Sequence, residues 1–217
     1  MATERERRLE SIVSHFLAPL KDIPFECVLK SLYGYSVKPF DMADINNQEI
    51  CRKLKHALID ACRDTQKHPI SRTRPNEVGN DMEPVVIKHL KKAGLKAFAP
   101  RTRKNHGKST GYPDVVIEEK EAVIYLEVKT YAAANHDTTQ RSFYISPSDD
   151  PKVTQDGHHL LVGFEIERKE NEFWPVAFTV VDLHGMSCDM KSEFNSDNHR
   201  IYHRQEALIL SEQVPCA

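Results

Sequence analysis

The chain has 217 residues, of which 40% are hydrophobic and 29% charged, and its formal net charge is −2 with a pI of about 6.6. These values describe an ordinary globular protein and not a disordered chain, and the near-neutral charge counts mildly against a non-specific DNA-coating protein. No apolar run approaches the length needed to span a membrane. The five cysteines are odd in number and have no Cys-x-x-Cys spacing, which predicts reduced thiols in an intracellular, cytoplasmic protein.

Two amphipathic helices are predicted in the N-terminal third of the chain. The first spans residues 3–18 and ends at Pro19, and Pro24 soon afterwards disfavours another helix start. The second spans residues 48–65, where apolar side chains recur at helical spacing. We expect both helices to pack on the core or to form a dimer contact, as an elaboration of the fold.

A third helix, followed by Gly94, carries two candidates for an acidic site residue, Glu83 and Glu77. Pro84 is tolerated only near a first helical turn, so this helix is expected to begin near residue 80 or to kink there. Glu83 is preferred because Gly79 lies on nearly the same face and permits close packing beside a site. The alternative is that both acids simply favour the positive end of the helix dipole.

A predicted strand at 95–100 leads into a polar loop rich in basic residues, and this loop ends at Pro113-Asp114. Its cations are candidates for contacts with the phosphates of a nucleic acid. The alternative is a solvated surface loop. The functional interpretation is favoured because the loop leads directly to Asp114, which belongs to the acidic cluster described next. The candidate phosphate contacts are Arg101, Arg103, Lys104, His106 and Lys108.

Residues 114–119 and 122–130 are predicted to form a hairpin with two acidic residues and a lysine near one end. Because side chains alternate along a strand, Glu127 and Lys129 share one face, while the apolar residues between and before them point the other way. Charge in such a strand is costly unless it is paired or binds a metal. Asp114 and Glu127, with the carbonyl of Val128, offer the oxygen ligands that suit Mg²⁺. The alternative is a surface hairpin with a solvated Glu/Lys face.

The segment after the hairpin is dense in hydrogen-bonding side chains. Such side chains can read base edges in a DNA groove, although they are also common in capped loops. A short helix is expected within 151–159, followed by two strands at 160–167 and 173–183, with Pro175 at an edge or a bulge. The candidate base-reading residues are Asn135, Thr138, Gln140 and Arg141.

Pro113-Asp114 followed by Glu127-x-Lys129 on consecutive strands resembles the PD-(D/E)xK nuclease superfamily, and the chain is most similar to a type II restriction endonuclease. The resemblance covers roughly residues 76–183. It implies a restriction-endonuclease-like α/β core, with a central mixed sheet of about five strands flanked by helices. It also implies that Asp114 and Glu127 hold Mg²⁺, that Lys129 serves the nucleophile, and that an acidic helical residue completes the site.

The substrate implied by this resemblance is double-stranded DNA cut at a short specific sequence by a homodimer. A two-fold symmetric dimer also follows physically if the recognition site is palindromic. The expected organisation is an N-terminal helical elaboration (1–75), a catalytic core (76–185) and a C-terminal segment (186–217), within one compact domain. Two rival hypotheses are a structure-specific repair or junction-resolving nuclease and a non-catalytic DNA-binding module.

Overall fold

The computed structural model describes most of the chain. It covers residues 3–17, 20–73, 77–107, 111–120, 122–135, 143–191 and 197. The chain divides into two compact units, one formed by Met1–Asp22 with Asp189–Ala217 and the other by Ile23–Cys188. The boundaries near residues 75 and 185 stay a prediction. No helix within the covered ranges is long and apolar enough to cross a membrane.

The first unit contains helix α1, Glu4–Leu17, close to the predicted span. Thr3 begins it with a capping box, in which the Thr3 N–H donates to Glu6 Oε2 at 2.6 Å and the Thr3 hydroxyl accepts from the Glu6 N–H at 3.3 Å. Its apolar stripe is exposed, since Leu9, Ile12 and Phe16 keep 50%, 44% and 65% of their accessible surface. Such a stripe marks a contact surface, and the expected dimer contact stays a prediction.

The second unit contains three helices: α2 Phe25–Tyr33, α3 Ile45–Lys67 and α4 Val78–Lys92. Helix α2 shows that the expectation of no helix start after Pro24 is wrong. Pro24 is the N-cap residue, just outside the helical backbone, where its missing N–H costs no helical hydrogen bond. Phe25, Leu29 and Tyr33 recur every four residues and are buried, which supplies the packing that stabilises this short helix.

Helices α3 and α4 both start earlier than predicted. The Asp44 side chain accepts a hydrogen bond from the Asn46 N–H at 2.8 Å, and this N-cap places the start of α3 at Ile45. Helix α4 begins at Val78 and contains Pro84. The residue whose carbonyl lies opposite the missing proline N–H, Asn80, is exposed, which lowers the cost of the lost bond.

Nine strands lie in the described ranges of the chain. They are β1 Ile23–Pro24, β2 Val37–Lys38, β3 Ile70–Ser71, β4 Lys96–Phe98, β5 Val115–Glu119, β6 Ala122–Tyr131, β7 Gly157–Lys169, β8 Glu172–Asp182 and β9 Ser187–Cys188. Strands β1 and β9 form a small antiparallel pair. The other seven form one sheet in the order β3-β8-β7-β6-β5-β4, with β2 paired to the start of β7.

The main sheet is mixed, which confirms the predicted α/β fold class. Strand β6 runs parallel to β7 and antiparallel to β5, while β8 runs antiparallel to β7. The five longest strands, β4 to β8, match the expected number, and β2 and β3 add two residues each. The register shifts at Glu165 and Ile166, opposite Pro175, so the expected bulge is present.

The short helix expected within 151–159 does not form, so that prediction is wrong. Side chains bind the backbone N–H groups that a helix would use: the Tyr125 hydroxyl accepts from Thr154 at 3.1 Å and from Gln155 at 3.2 Å. The Asp156 carboxylate in turn accepts from the Ser36 N–H at 2.7 Å. The segment is therefore pinned as an extended connection into β7, which starts at Gly157.

The two faces of the sheet cover two separate clusters of buried side chains. On one face, Ile124, Leu126 and Val128 of β6 pack into a core shared with α3 and α4. On the other face, Tyr125 belongs to a core shared with α2. This alternation is the one predicted for the hairpin, and it places Glu127 and Lys129 on the α2 side.

An aromatic cluster in the second core encloses His159. Tyr112 and Tyr125 both stack on its ring, and burial raises the pKa of Tyr112 well above its ordinary value. The phenol therefore keeps its proton, and its oxygen shares a hydrogen bond of 2.6 Å with His159 Nδ1. Burial lowers the pKa of His159 to about 3, with a smaller effect from the charge of His158. The imidazole is consequently neutral in the folded protein at neutral pH.

This histidine makes stability depend on pH. The unfolded imidazole takes up a proton below about pH 6.5 and the folded one only near pH 3, so stability falls as the pH decreases through this window. We expect the wild type to lose about 2 kcal/mol between pH 7.5 and pH 5 relative to Tyr112→Phe/His159→Phe. That double variant removes both hydrogen-bonding partners, which is close to neutral when shape is kept. Urea unfolding at several pH values measures the difference.

His158 supplies the control, because it is the neighbouring histidine and is only half-buried. His158→Gln leaves Tyr112 and His159 in place, so measuring it in the same way separates the effect of the buried histidine from that of its neighbour. Equal dependence on pH in the wild type and the double variant would show that His159 titrates normally in the folded chain.

Candidate active site

A cleft of about 1320 Å³ opens in the second unit beside the start of β5. Its lining brings together Glu83 from α4, Asp114 just ahead of β5, and Glu127 and Lys129 from β6. The four residues proposed for catalysis from the sequence thus reach one cavity from three separate segments. Their catalytic roles stay a prediction.

Asp114 is held by the hairpin itself. Its Oδ2 accepts a hydrogen bond from the Val128 N–H at 2.8 Å, next to the backbone pairing of Val115 with Leu126. The side chain thus takes the place of a backbone acceptor where the β5–β6 ladder ends. This contact fixes the carboxylate opposite the strand segment that carries Glu127 and Lys129.

Glu127 is an almost completely buried carboxylate, with 3% of its surface exposed. Lys129 Nζ donates to Glu127 Oε1 at 2.5 Å, so the pair two residues apart on one strand face is an ion pair. Glu127 Oε2 is buried and has no hydrogen-bond partner among the residues that the structure describes. A buried carboxylate oxygen without a donor is costly, and it is free to bind a cation.

The carboxylates in the cleft oppose one another electrostatically. Burial and then the charge of Asp114 raise the pKa of Glu127 to about 7, in spite of the opposing effect of Lys129. The same two causes raise the pKa of Glu83 to about 7, with Lys152 and Lys129 acting in the opposite direction. A divalent cation would relieve this repulsion.

The oxygen donors of the cleft fit a hard cation that is held by few protein groups. In the described part of the chain, no group of three or more His, Cys, Asp or Glu side chains is arranged to hold a metal ion. Mg²⁺ in phosphate-processing sites is bound by one or two carboxylates and keeps several waters or phosphate oxygens. Asp114, the unpartnered Glu127 Oε2 and the carbonyl of Val128 are such a donor set.

Glu83, and not Glu77, lines the cleft. Glu77 is the N-cap residue of α4 and makes no side-chain capping bond. A Cβ atom added at Gly79 would lie 3.7 Å from Thr130 Oγ1, which is an ordinary contact. The structure therefore does not need a glycine at position 79 for close packing. Glu83 is distinguished from Glu77 only by its position on the wall of the cleft.

The described cations of the basic loop, Arg101, Arg103 and Lys104, do not line the cleft. Arg101 lines a smaller cavity of about 460 Å³, and the Arg103 guanidinium donates to the Tyr33 carbonyl at 3.3 Å. The Lys104 N–H donates to Asp150 Oδ1 at 2.9 Å, which ties the loop to a residue of the cleft wall. The loop is thus structurally anchored, and its phosphate contacts stay a prediction.

Of the candidate base-reading residues, Asn135 alone lies in the part of the chain that the structure describes. Asn135 ends the 3-10 turn Ala133–Asn135 and lines the cleft. The other candidates, together with one cation of the basic loop, lie outside the described residues: Thr138, Gln140, Arg141 and Lys108.

The residues of the cleft wall that were not singled out from the sequence include Tyr144, Lys152 and Arg168. Arg168 lies near the end of β7, where its guanidinium packs over the Phe173 ring; it stands one residue beyond the strand predicted at 160–167, in a polar segment, so no strand pattern pointed to it. Tyr144 is 61% exposed, a signal that sequence does not carry. Lys152 binds backbone carbonyls about 40 positions away, so no local pattern points to it.

Comparison with known proteins identifies a family. Residues 19–205 match the family model described as the type II restriction enzyme MjaV family. The chain is also 32% identical over 221 residues to the type II restriction enzyme MjaV of Methanocaldococcus jannaschii, an alignment that covers 94% of this chain and 95% of that protein. No solved structure matches the chain. These matches confirm the resemblance carried by Pro113-Asp114 and Glu127-x-Lys129, and the chain belongs to the MjaV family of type II restriction enzymes.

Proposed function

We propose that this chain is a Mg²⁺-dependent endonuclease that cuts double-stranded DNA at a specific sequence. Family membership supports a site-specific deoxyribonuclease. The observation that carries the proposed site is the meeting of Asp114, the Glu127–Lys129 ion pair and Glu83 in one cleft of about 1320 Å³.

In this proposal Asp114 and Glu127 hold the metal ion, and the Val128 carbonyl adds an oxygen ligand. A bound Mg²⁺ supplies neutralising charge at the phosphate during in-line attack of water on the phosphodiester bond. Asp114 is suited to the role because the Val128 N–H fixes its Oδ2 and thereby its orientation. Glu127 is suited because its Oε2 is buried and has no donor within the described ranges of the chain.

Lys129 and Glu83 take the remaining roles. The Lys129 ammonium is fixed by Glu127 Oε1 at 2.5 Å and keeps 29% of its side-chain surface exposed, so it faces the cleft as well as its partner. We assign it to orienting the attacking water and to stabilising the negative charge that develops on the phosphate. Glu83, which α4 brings to the cleft, provides an outer or second-metal carboxylate.

DNA contacts are assigned to two groups of residues. Arg101, Arg103, Lys104 and Lys108 are proposed to bind phosphates, which contributes affinity on any sequence. Asn135, Thr138, Gln140 and Arg141 are proposed to read base edges, which gives site preference. Arg168 joins the first group, because stacking over Phe173 holds its guanidinium plane at the cleft wall.

The working unit is proposed to be an intracellular homodimer. A palindromic DNA site presents two equivalent strands, and a two-fold dimer brings one catalytic cleft to each. The exposed apolar stripe of α1 is a surface that such a dimer would cover.

Digestion of a mixed-sequence plasmid tests the proposal. Purified protein with Mg²⁺ is expected to give discrete bands whose mapped ends share one short sequence, and EDTA should stop the reaction. A smear, or cutting confined to branched DNA, would favour the structure-specific nuclease. DNA binding without metal-dependent cutting would favour the non-catalytic module.

A further inference from the structure

Lys152 is a buried lysine that contacts the segment leading into the active site. It retains 5% of its accessible surface. Its Nζ donates to the Gly111 carbonyl at 2.6 Å and to the Pro113 carbonyl at 3.0 Å. These two carbonyls bracket the turn that delivers Asp114 to the start of β5, so one ammonium group holds both ends of that turn.

The backbone of Lys152 is itself anchored on both sides. The preceding Pro151 carbonyl accepts from the Arg103 N–H at 2.9 Å, and the following Val153 is completely buried in the second core. The backbone that carries the ammonium group is thus fixed in position. Through its two hydrogen bonds, the ammonium group can hold the turn in place. Gly111 of this turn has a left-handed conformation at φ +87°.

The positive charge of Lys152 acts on the carboxylates of the cleft. A lysine this deeply buried is costly unless it is paired or stabilises nearby charge. Lys152 favours the ionised forms of both Glu83 and Glu127, because its positive charge lowers the pKa of each. Its two carbonyl contacts hold the segment before Asp114, and its charge acts on Glu83 and Glu127. Both effects therefore concern the acidic residues of the cleft.

We propose that Lys152 is a positioning residue of the nuclease, whose ammonium group holds the Gly111–Pro113 turn so that Asp114 meets Glu127 across the end of the hairpin. The inference rests on the proposed function, since it takes Asp114 and Glu127 as the metal-binding pair. It assigns to Lys152 no contact with DNA or with the reacting phosphate.

Chemical rescue tests the inference. Lys152→Ala is expected to lower the single-turnover cleavage rate at saturating DNA by about 10- to 100-fold, as loss of outer-shell support does at other metal sites, with unchanged DNA affinity. The lost atoms correspond to n-propylammonium. Because Lys152 lines both the cleft and the smaller cavity, the space left by the substitution is open to a small molecule. Added n-propylamine should restore much of the rate, whereas 1-propanol at equal concentration and matched ionic strength should not.

One control variant and two replacement variants complete the test. Lys53→Ala removes a lysine whose partner, Glu119, lies 3.1 Å away and which does not line the cleft, and it is expected to cut at the wild-type rate without a response to amine. If Lys152→Ala does not fold, Lys152→Arg and Lys152→Met replace it. Arginine should then cut at least about 10-fold faster than methionine, because it keeps charge and donors.

The inference fails separately from the proposed function. Loss of cutting in Asp114→Asn, measured in the same assay, tests the metal-binding pair. Against that background, wild-type-like cutting by Lys152→Ala overturns the positioning role alone. Equal rescue by propanol and propylamine, or equal rates for the arginine and methionine variants, overturns it as well, because packing and not the ammonium group would then explain the effect.

Discussion

The Asp114→Asn protein is expected to bind its DNA site and to cut it at least about 1,000-fold more slowly than the wild type, a loss of about 4 kcal/mol of transition-state stabilisation. The substitution removes a carboxylate that the proposal assigns to the metal ion. Asparagine keeps a side-chain oxygen that can still accept from the Val128 N–H, so the hairpin should remain folded. Single-turnover cleavage and a filter-binding assay in Ca²⁺ measure the two properties separately.

Binding by this variant should be as tight as that of the wild type, or tighter. One negative charge facing the DNA phosphates is removed, which reduces repulsion. Glu118→Gln is the matched control, because Glu118 lies on the same hairpin and pairs with exposed Lys96 outside the cleft. Near-normal cutting by folded Asp114→Asn protein would refute the assignment of the active site.

Lys129→Ala is expected to lower the single-turnover rate by roughly two to three orders of magnitude, with little change in melting temperature. The lost ammonium no longer stabilises the charge that develops on the phosphate. It also no longer favours ionisation of Glu127, whose pKa is already raised by burial and by Asp114. The carboxyl group can take up a proton instead of remaining as an unpaired buried charge, which limits the cost in stability.

Lys53→Ala is an informative comparison for Lys129→Ala. Lys53 pairs with Glu119 at 3.1 Å, and both side chains are 20% exposed, so this is also a half-buried ion pair. Loss of that pair is expected to leave cleavage unchanged. If both variants cut at near-wild-type rates, Lys129 has no role in the reaction, and the alternative of a surface hairpin with a solvated Glu/Lys face is favoured.

The hairpin and its site residues were predictable because they depend on local periodicity. Alternation along 122–130 places Glu127 and Lys129 on one face and the apolar residues on the other, and the structure has that arrangement. The family resemblance rested on the same few residues and is confirmed by the comparisons. A short pattern was enough to predict this arrangement because Asp114, Glu127 and Lys129 make their contacts within the hairpin itself.

Other features were not predictable because their causes are distant in sequence or depend on one position. Helix α2 depends on Pro24 standing one residue outside the helix, a difference that composition does not reveal. The extended segment before β7 depends on the Tyr125 hydroxyl, which binds backbone N–H groups about 30 residues away. Lys152 is similar, since its carbonyl partners become neighbours only when the sheet has formed.

The placement of Glu127 in the sheet has a consequence for how activity is lost. Strand β6 is hydrogen-bonded to β7 from Ile124 to Tyr131 and to β5 as far as Leu126, the residue before Glu127, and Val128 is buried in the main core. Strands in such positions exchange their amide hydrogens only in the least frequent, most complete openings of a protein. Glu127, between the doubly paired Leu126 and the buried Val128, is therefore expected to belong to the last cooperative unit to open. Warming or mild denaturant should loosen surface loops long before it disturbs the arrangement of Glu127 and Lys129.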